Sequence, residues 1–166
     1  MSAHVRSGVR DHEVEDTASV WLSFACGALG SLIASDSVAA PWSCEATTGE
    51  NPLYHHVRED CYRFMGTQGS LTFPSLDLWR YGGAGARGWQ HPLQRVEYEV
   101  EPADPLVLQI EHFSRVVADG EPPLIDATEA GRTLAASPAI LESSKTGRPI
   151  AVSDLWPPAP AAAAPP

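Results

Sequence analysis

Between Thr17 and Phe24 apolar and polar positions alternate. Ala18, Val20, Leu22 and Phe24 fall on one side, and Thr17, Ser19, Trp21 and Ser23 on the other. A period of two predicts a strand with one buried face. Cys26-Gly27-Ala28 supplies a tight turn, because glycine accepts the positive φ that such a turn requires, and Leu29 to Ala34 return the chain as a second strand. Further runs predict strands over Cys61–Met65, Ser70–Phe73, Leu76–Tyr81 and Gln94–Val100, with Gly66-Thr67-Gln68-Gly69 turning the first of them into the second. In the polar residues 1–14, Val5, Val9 and Val14 could form an edge strand.

After Val100 the period changes from 2 to 3.6. Asp104-Pro105 reads as an N-cap followed by proline at the first helical position. Leu106, Ile110, Phe113 and Val117 then make one apolar stripe that ends at Gly120 and Pro122-Pro123. Asp126-Ala127-Thr128-Glu129 has the form of a capping box and opens a second helix. That helix carries Ala130, Leu134 and Leu141, is expected to kink at Pro138, and stops at Gly147. Ile150 to Val152 could add a short edge strand, and the Pro/Ala-rich end is expected to be disordered.

Strands first and helices second predict an α+β fold: an open, mainly antiparallel or mixed β-sheet with helices packed on one face. The expected organisation is a lead-in over 1–14, one domain over 15–152 and a tail over 153–166. The sheet face that the helices leave open carries Trp21, which suits an interface or a binding floor.

Composition narrows the function. The net charge is −10, with 21 acidic against 11 basic residues in 166. Binding to a phosphate backbone requires clustered Lys and Arg, so neither nucleic acid nor an anionic membrane surface is an expected partner. No apolar run reaches the roughly 18 residues of a membrane helix, and the N-terminus lacks the apolar stretch of a signal peptide. Cys26, Cys44 and Cys61 are odd in number and unrelated in spacing, which predicts free thiols in a reducing cytoplasm.

The loop between the second and third strands concentrates the candidate chemistry: Trp42, Glu45, Glu50, Asn51, Tyr54, His55, His56 and Asp60. Adjacent histidines in an extended segment point opposite ways, and no H-x-H, H-E-x-x-H or C-x-x-C occurs, so no metal site is expected. His112, on the first helix, reads as structural. The glycine run over 82–88 lacks the Lys-Ser/Thr of a phosphate loop and is expected to be a hairpin tip. No G-x-S-x-G elbow and no G-x-G-x-x-G dinucleotide fingerprint occurs.

Several short stretches, taken in order, resemble one family. They are E-D-T-A at 15–18, F-A-C-G-A-L-G at 24–30, S-D at 35–36 and P-W-S-C-E at 41–45. G-E-N-P at 49–52, G-T-Q-G-S-L at 66–71, D-P-L at 104–106, H-F at 112–113 and T-G-R-P-I at 146–150 continue the series. Together they resemble the C-terminal domain of the Gfo/Idh/MocA oxidoreductases, the glucose–fructose oxidoreductase and inositol dehydrogenase group, over about residues 10–152. The resemblance implies an open sheet that walls the substrate pocket and forms the oligomer interface, beside a Rossmann domain that binds NAD or NADP. The family's catalytic Lys of a Glu-Lys-Pro motif, and the Asp and His of the helix that opens the second domain, have no counterpart here, for the only lysine is Lys145.

The expected function is therefore the substrate-binding and oligomerisation half of such an enzyme, truncated and not catalytic alone, binding no cofactor by itself. Its substrate would be a sugar, polyol or related hydroxy compound, held by Trp42, Glu45, Asn51, Tyr54 and His55. Its partner would be a second copy through the open sheet face, or a Rossmann-domain chain. The alternatives are a stand-alone module for a sugar-like ligand and a split dehydrogenase completed in trans.

Overall fold

The computed structural model describes residues 1–83, 87–101 and 103–156. In chain order the elements are β1 (Ser2–Arg6), β2 (Thr17–Ser23), β3 (Leu29–Ser35), α1 (Cys44–Thr48), β4 (Tyr62–Met65), β5 (Ser70–Phe73), β6 (Leu78–Tyr81), β7 (Leu93–Val96), α2 (Pro105–Asp119) and α3 (Ala127–Thr146), followed by a 3-10 turn at Val152–Asp154. The fold is α+β, and its strands form two antiparallel sheets, ordered β1-β2-β3 and β4-β5-β6-β7. Two compact units result, one of Met1–Val38 with Pro122–Pro166 and one of Ala39–Glu121.

The first unit is built on the alternation in β2. Val20 pairs with Ala3 on one side and Leu32 on the other, so these three share a face; Val20 is 1% exposed. On the opposite face Trp21 pairs with Ser2 and Ser31, and both Trp21 and Ile33 are exposed. The edge strand expected somewhere within 1–14 is β1, at its very start. It is fixed by hydroxyls of α3: Ser143 Oγ accepts from Ala3 N–H at 3.0 Å and Ser144 Oγ from Val5 N–H at 2.9 Å. Ser143 also donates to the Arg148 carbonyl at 2.7 Å, so a fully buried hydroxyl is satisfied in both roles.

α3 buries small residues where the sequence reading placed large ones. Leu134 and Leu141 are exposed, while Ala135, Ala139 and Ser143, spaced by four, are buried. Gly131 extends that row, and its missing side chain leaves room for the Trp156 ring. A row of small residues lets the helix backbone approach the strand closely, and a leucine search overlooks it. Asp126 caps the start as expected, its carboxylate accepting from Glu129 N–H at 2.8 Å, and Gly147 ends the helix at φ 66°. Pro138 lies inside a single 20-residue helix and is exposed. Ile150 makes strand-like backbone bonds with Met1, and the 3-10 turn occupies the region beyond. Residues 157–166 of the expected tail lie outside the described residues.

The second unit holds the other sheet, α1 and α2. Two strand ends differ from expectation. Leu76 takes φ 56° in a turn where Thr72 N–H donates to the Asp77 carbonyl, so β6 starts at Leu78 rather than Leu76. Val96 is the partner of Leu78, and with β6 exhausted there β7 ends, although Tyr98 and Val100 keep the alternating pattern. Gly69 is required by close approach: a Cβ there would come within 2.8 Å of the Trp79 carbonyl oxygen. The expected hairpin tip joins β6 to β7, and its residues 84–86 lie outside the described set. α2 follows the sequence reading closely, from its Asp104 cap to Gly120 at φ 71°, yet none of its residues is buried.

Candidate functional site

α1, which the composition had presented as loop, opens the decorated segment. Ser43 is its N-cap, accepting from Ala46 N–H at 3.1 Å, and Gly49 closes it at φ 68°. The signal was present in the sequence, as Ser43 followed by Glu45 in the first turn and Gly49 six residues after the serine, but the helix is only 5 residues long. Thr47 is its anchor: it is 2% exposed, and its hydroxyl donates to the Ser43 carbonyl at 2.9 Å.

The segment after α1 folds back on it. Val57 N–H donates to the Ala46 carbonyl at 2.8 Å, and His56 Nε2 lies 3.2 Å from the Thr47 carbonyl. A Cβ on Gly49 would lie 3.2 Å from the His56 ring, so glycine also makes room for that histidine. Both histidines are exposed, and His56 is the one of the pair tied to α1. Asn51 Oδ1 accepts from Leu53 N–H at 3.0 Å, and the Asn51 carbonyl accepts from Tyr54 N–H at 3.2 Å. This turn engages the Asn51 Oδ1 and not its amide NH2.

Of the five expected site residues, Trp42 and Glu45 flank the Ser43 cap, and Asn51, Tyr54 and His55 follow the helix. Trp42, Glu45, Tyr54 and His55 are exposed. A shallow depression lies elsewhere in this unit, lined by the Gly66–Ser70 turn with Trp79, Arg80, Tyr81 and Leu93, and none of the five reaches it.

Two of the free thiols bracket the segment. Cys44 at the start of α1 and Cys61 just before β4 are half-buried free cysteines. Burial pushes the Cys44 thiol up, with Cys61 next in effect. Burial likewise raises the neighbouring Tyr62 phenol, assisted by Cys44 and Cys61.

Asp16 anchors the other unit. Its Oδ2 accepts backbone N–H groups of Gly8 and Val9, each at 2.8 Å, and of Arg10 at 3.2 Å, while Thr17 Oγ1 donates to Oδ1 at 2.9 Å. These donors stabilise the anion and hold its carboxyl far below the ordinary value. The Glu15-Asp16 pair is thus a turn device. His112 serves structure as well, 3.3 Å from Glu121, whose carboxyl is lowered mainly by Arg115.

A dinucleotide would require a glycine turn feeding a helix N-terminus that is open to pyrophosphate. The helix starts here do not fit one. α2 and α3 are capped by the carboxylates of Asp104 and Asp126, and α1 carries Glu45 in its first turn. Among the described residues, no three His, Cys, Asp or Glu side chains converge to hold a metal ion, and no helix is long and apolar enough to cross a membrane.

Solved structures share the fold. One is the UDP-N-acetylglucosamine 3-dehydrogenase of Acidithiobacillus ferrooxidans, at a TM-score of 0.59 and 20% identity over 87% of this chain and 40% of that one. Another is an oxidoreductase from Agrobacterium radiobacter in complex with NAD+, L-tartaric acid and magnesium, at a TM-score of 0.57 and 16% identity over 93% of this chain and 43% of that one. The chain therefore spans about two fifths of the length of these structures. No curated protein sequence matches it. The family model for the oxidoreductase family C-terminal alpha/beta domain, GFO_IDH_MocA_C, matches residues 1–152. The chain belongs to this oxidoreductase family, as its C-terminal domain.

Proposed function

We propose that this domain supplies the substrate-pocket wall and the self-association surface of an NAD- or NADP-dependent oxidoreductase of the cytoplasm, with the nicotinamide held by a Rossmann-type domain. The observation that carries the reading is the uncovered sheet. Leu29, Ile33 and Trp21 stand 81%, 79% and 66% exposed on one face of β1–β3. Apolar side chains gathered on one open face are the mark of a surface that another protein covers. A second copy of this chain or the cofactor domain is the occupant.

The substrate is a sugar, polyol or related hydroxy compound. Both solved relatives support this class, one named for a sugar nucleotide and the other bound to a hydroxy acid. In the decorated segment, Trp42 and Tyr54 offer aromatic faces to a ring, while Glu45, His55 and the Asn51 amide pair with hydroxyls. Hydride transfer then falls to cofactor and residues of the Rossmann half, and the residues here bind and orient.

The test is a titration of NAD+ and NADP+ into the chain, alone and mixed with a Rossmann domain of the same family, over a panel of sugars, polyols and hydroxy acids. Dehydrogenation only in the mixture, weakened by Tyr54→Ala and Trp42→Ala, is the expected result. Tight cofactor binding by the chain alone would overturn the division of labour. Ligand stabilisation unaffected by those substitutions would move the pocket elsewhere.

A further inference from the structure

A strand at the rim of a sheet carries backbone groups that lack a partner, and folded proteins cover such rims, charge them or break them with proline. The four rim strands here are β1, β3, β4 and β7. β1 is covered, since Ser143 and Ser144 of α3 accept its Ala3 and Val5 N–H groups. β4 and β7 carry Arg63 and Arg95. β3, with the sequence LGSLIAS, has neither a charge nor a proline over its 7 residues. Bonded and non-bonded pairs alternate in an antiparallel ladder. At the two ends of the β2–β3 register, Phe24 N–H donates to the Ala28 carbonyl and Asp36 N–H to the Asp16 carbonyl. Gly30, Leu32 and Ala34 therefore bond to β2, while the N–H and C=O groups of Leu29, Ser31, Ile33 and Ser35 point away from it. Among the described residues, no hydrogen bond reaches the backbone groups of Leu29, Ser31 or Ile33. Leu32 stays 40% exposed, although it shares the face of the buried Val20.

We propose that β3 is a dimerisation edge: β3 of a second copy pairs with it antiparallel, about a two-fold axis through Leu32, and joins two three-stranded sheets into one. The occupant is a second copy because the strand is its own complement in that register. Ser31 of one copy lies opposite Ile33 of the other, and Leu29 opposite Ser35, so each outward-pointing residue meets another and about eight backbone bonds form. An axis through Ser31 or Ile33 would leave one end of the strand unpaired. The two Leu32 side chains meet on the Val20 face and cover what each leaves exposed. Charge does not oppose the contact, despite a net charge of −10 on the chain. In this register the two Asp36 carboxylates stand about 27 Å apart, and Arg10 lies 3.2 Å from each within its own copy. This pairing rests on the self-association proposed above and adds the edge of the sheet to its face.

The experiment uses the full 166-residue chain over a concentration series, with sedimentation for its mass and residue-resolved amide exchange by NMR. In the dimer the Leu29, Ser31 and Ile33 amides are expected to exchange at least about tenfold more slowly, while those of Gly30, Leu32 and Ala34 keep the protection that β2 already gives them. Ser31→Pro removes an outward N–H from each copy and no bond within the chain, and should raise the dimer dissociation constant at least about tenfold. Trp21→Asp alters the open face and leaves the edge intact, so the dimer should survive it. A dimer lost with Trp21→Asp and kept with Ser31→Pro, without new protection of Leu29, Ser31 and Ile33, would overturn the edge pairing and leave self-association through the face standing. A chain monomeric at every concentration would overturn both. Should Ser31→Pro fail to fold, exchange in the unaltered chain decides alone: protection without the alternation along β3 would overturn the pairing.

Discussion

The two units of this domain use one vocabulary of short antiparallel strands and capped helices, with opposite results. Of the seven described residues that are buried, six lie in the first unit: Ala3, Asp16, Val20, Ala135, Ala139 and Ser143. The second unit has Thr47 alone, and no residue of its four strands or of α2 is buried. Local signals are as good in the second unit as in the first: α2 has a carboxylate cap, proline at its start and a left-handed glycine at its end. Caps and periodicity thus suffice to define elements, but only burial against another surface makes a core. The first unit has that surface within the chain, in the small-residue face of α3. The second leaves Phe64, Met65, Ile110 and Phe113 exposed.

Substitutions can break this contrast or sharpen it, the largest effect first. Val20→Asp places a charge in the first unit's core and is expected to cost about 4 kcal/mol or more. Met65→Asp, at an 83% exposed strand position of the second unit, should stay within about 0.5 kcal/mol in the dilute chain. Urea unfolding of both variants measures the difference, and equal losses would erase the contrast. Ser143→Ala leaves the Ala3 N–H and the Arg148 carbonyl without their partner inside the first unit, for about 2 kcal/mol by the same assay. In the second unit Asp104→Ala removes the α2 cap for about 1 kcal/mol, seen as fraying of that helix by circular dichroism.

The smallest effect is a pH slope. The Asp16 carboxyl is lowered from its ordinary value of 3.8, so the folded state favours the anion. Its contribution is full above that value and is lost as pH falls below about 4 toward the folded value. Thermal unfolding between pH 6 and 2 should therefore show the first unit weakening at the acid end. Asp16→Asn should flatten that slope and lower the melting temperature at neutral pH. Glu121 is lowered too and acts in the same direction from the second unit, so Glu121→Gln is the matched control. A slope removed by Glu121→Gln and kept by Asp16→Asn would reverse the assignment.

Much of the fold was legible in the sequence, because the features that define it are local. The alternation at 17–24, the Gly66–Gly69 turn and the caps at Asp104 and Asp126 each fix their element within a few residues. What was not legible depends on tertiary contact. The inward face of α3 is Ala135, Ala139 and Ser143, which no hydrophobicity pattern distinguishes, and Leu134 and Leu141 drew attention to the wrong side. The division of one expected sheet into two depends on which strands pair. For the site, the decorated segment was visible from its composition, but α1 was too short to stand out. The roles of the two histidines were separable only once Gly49 had brought the chain against His56.

The central claim is that the second unit and the open face of the first are completed by another protein surface. Amide hydrogen exchange across a concentration series, ending with added Rossmann domain, tests it most directly. The account predicts lasting protection of β2 and α3 at every concentration. It predicts weak protection of β4–β7 and α2 in the dilute chain, rising by at least about tenfold as copies or the cofactor domain associate. Strong protection of β4–β7 and α2 in the dilute chain, unchanged by concentration or by the added domain, would contradict it.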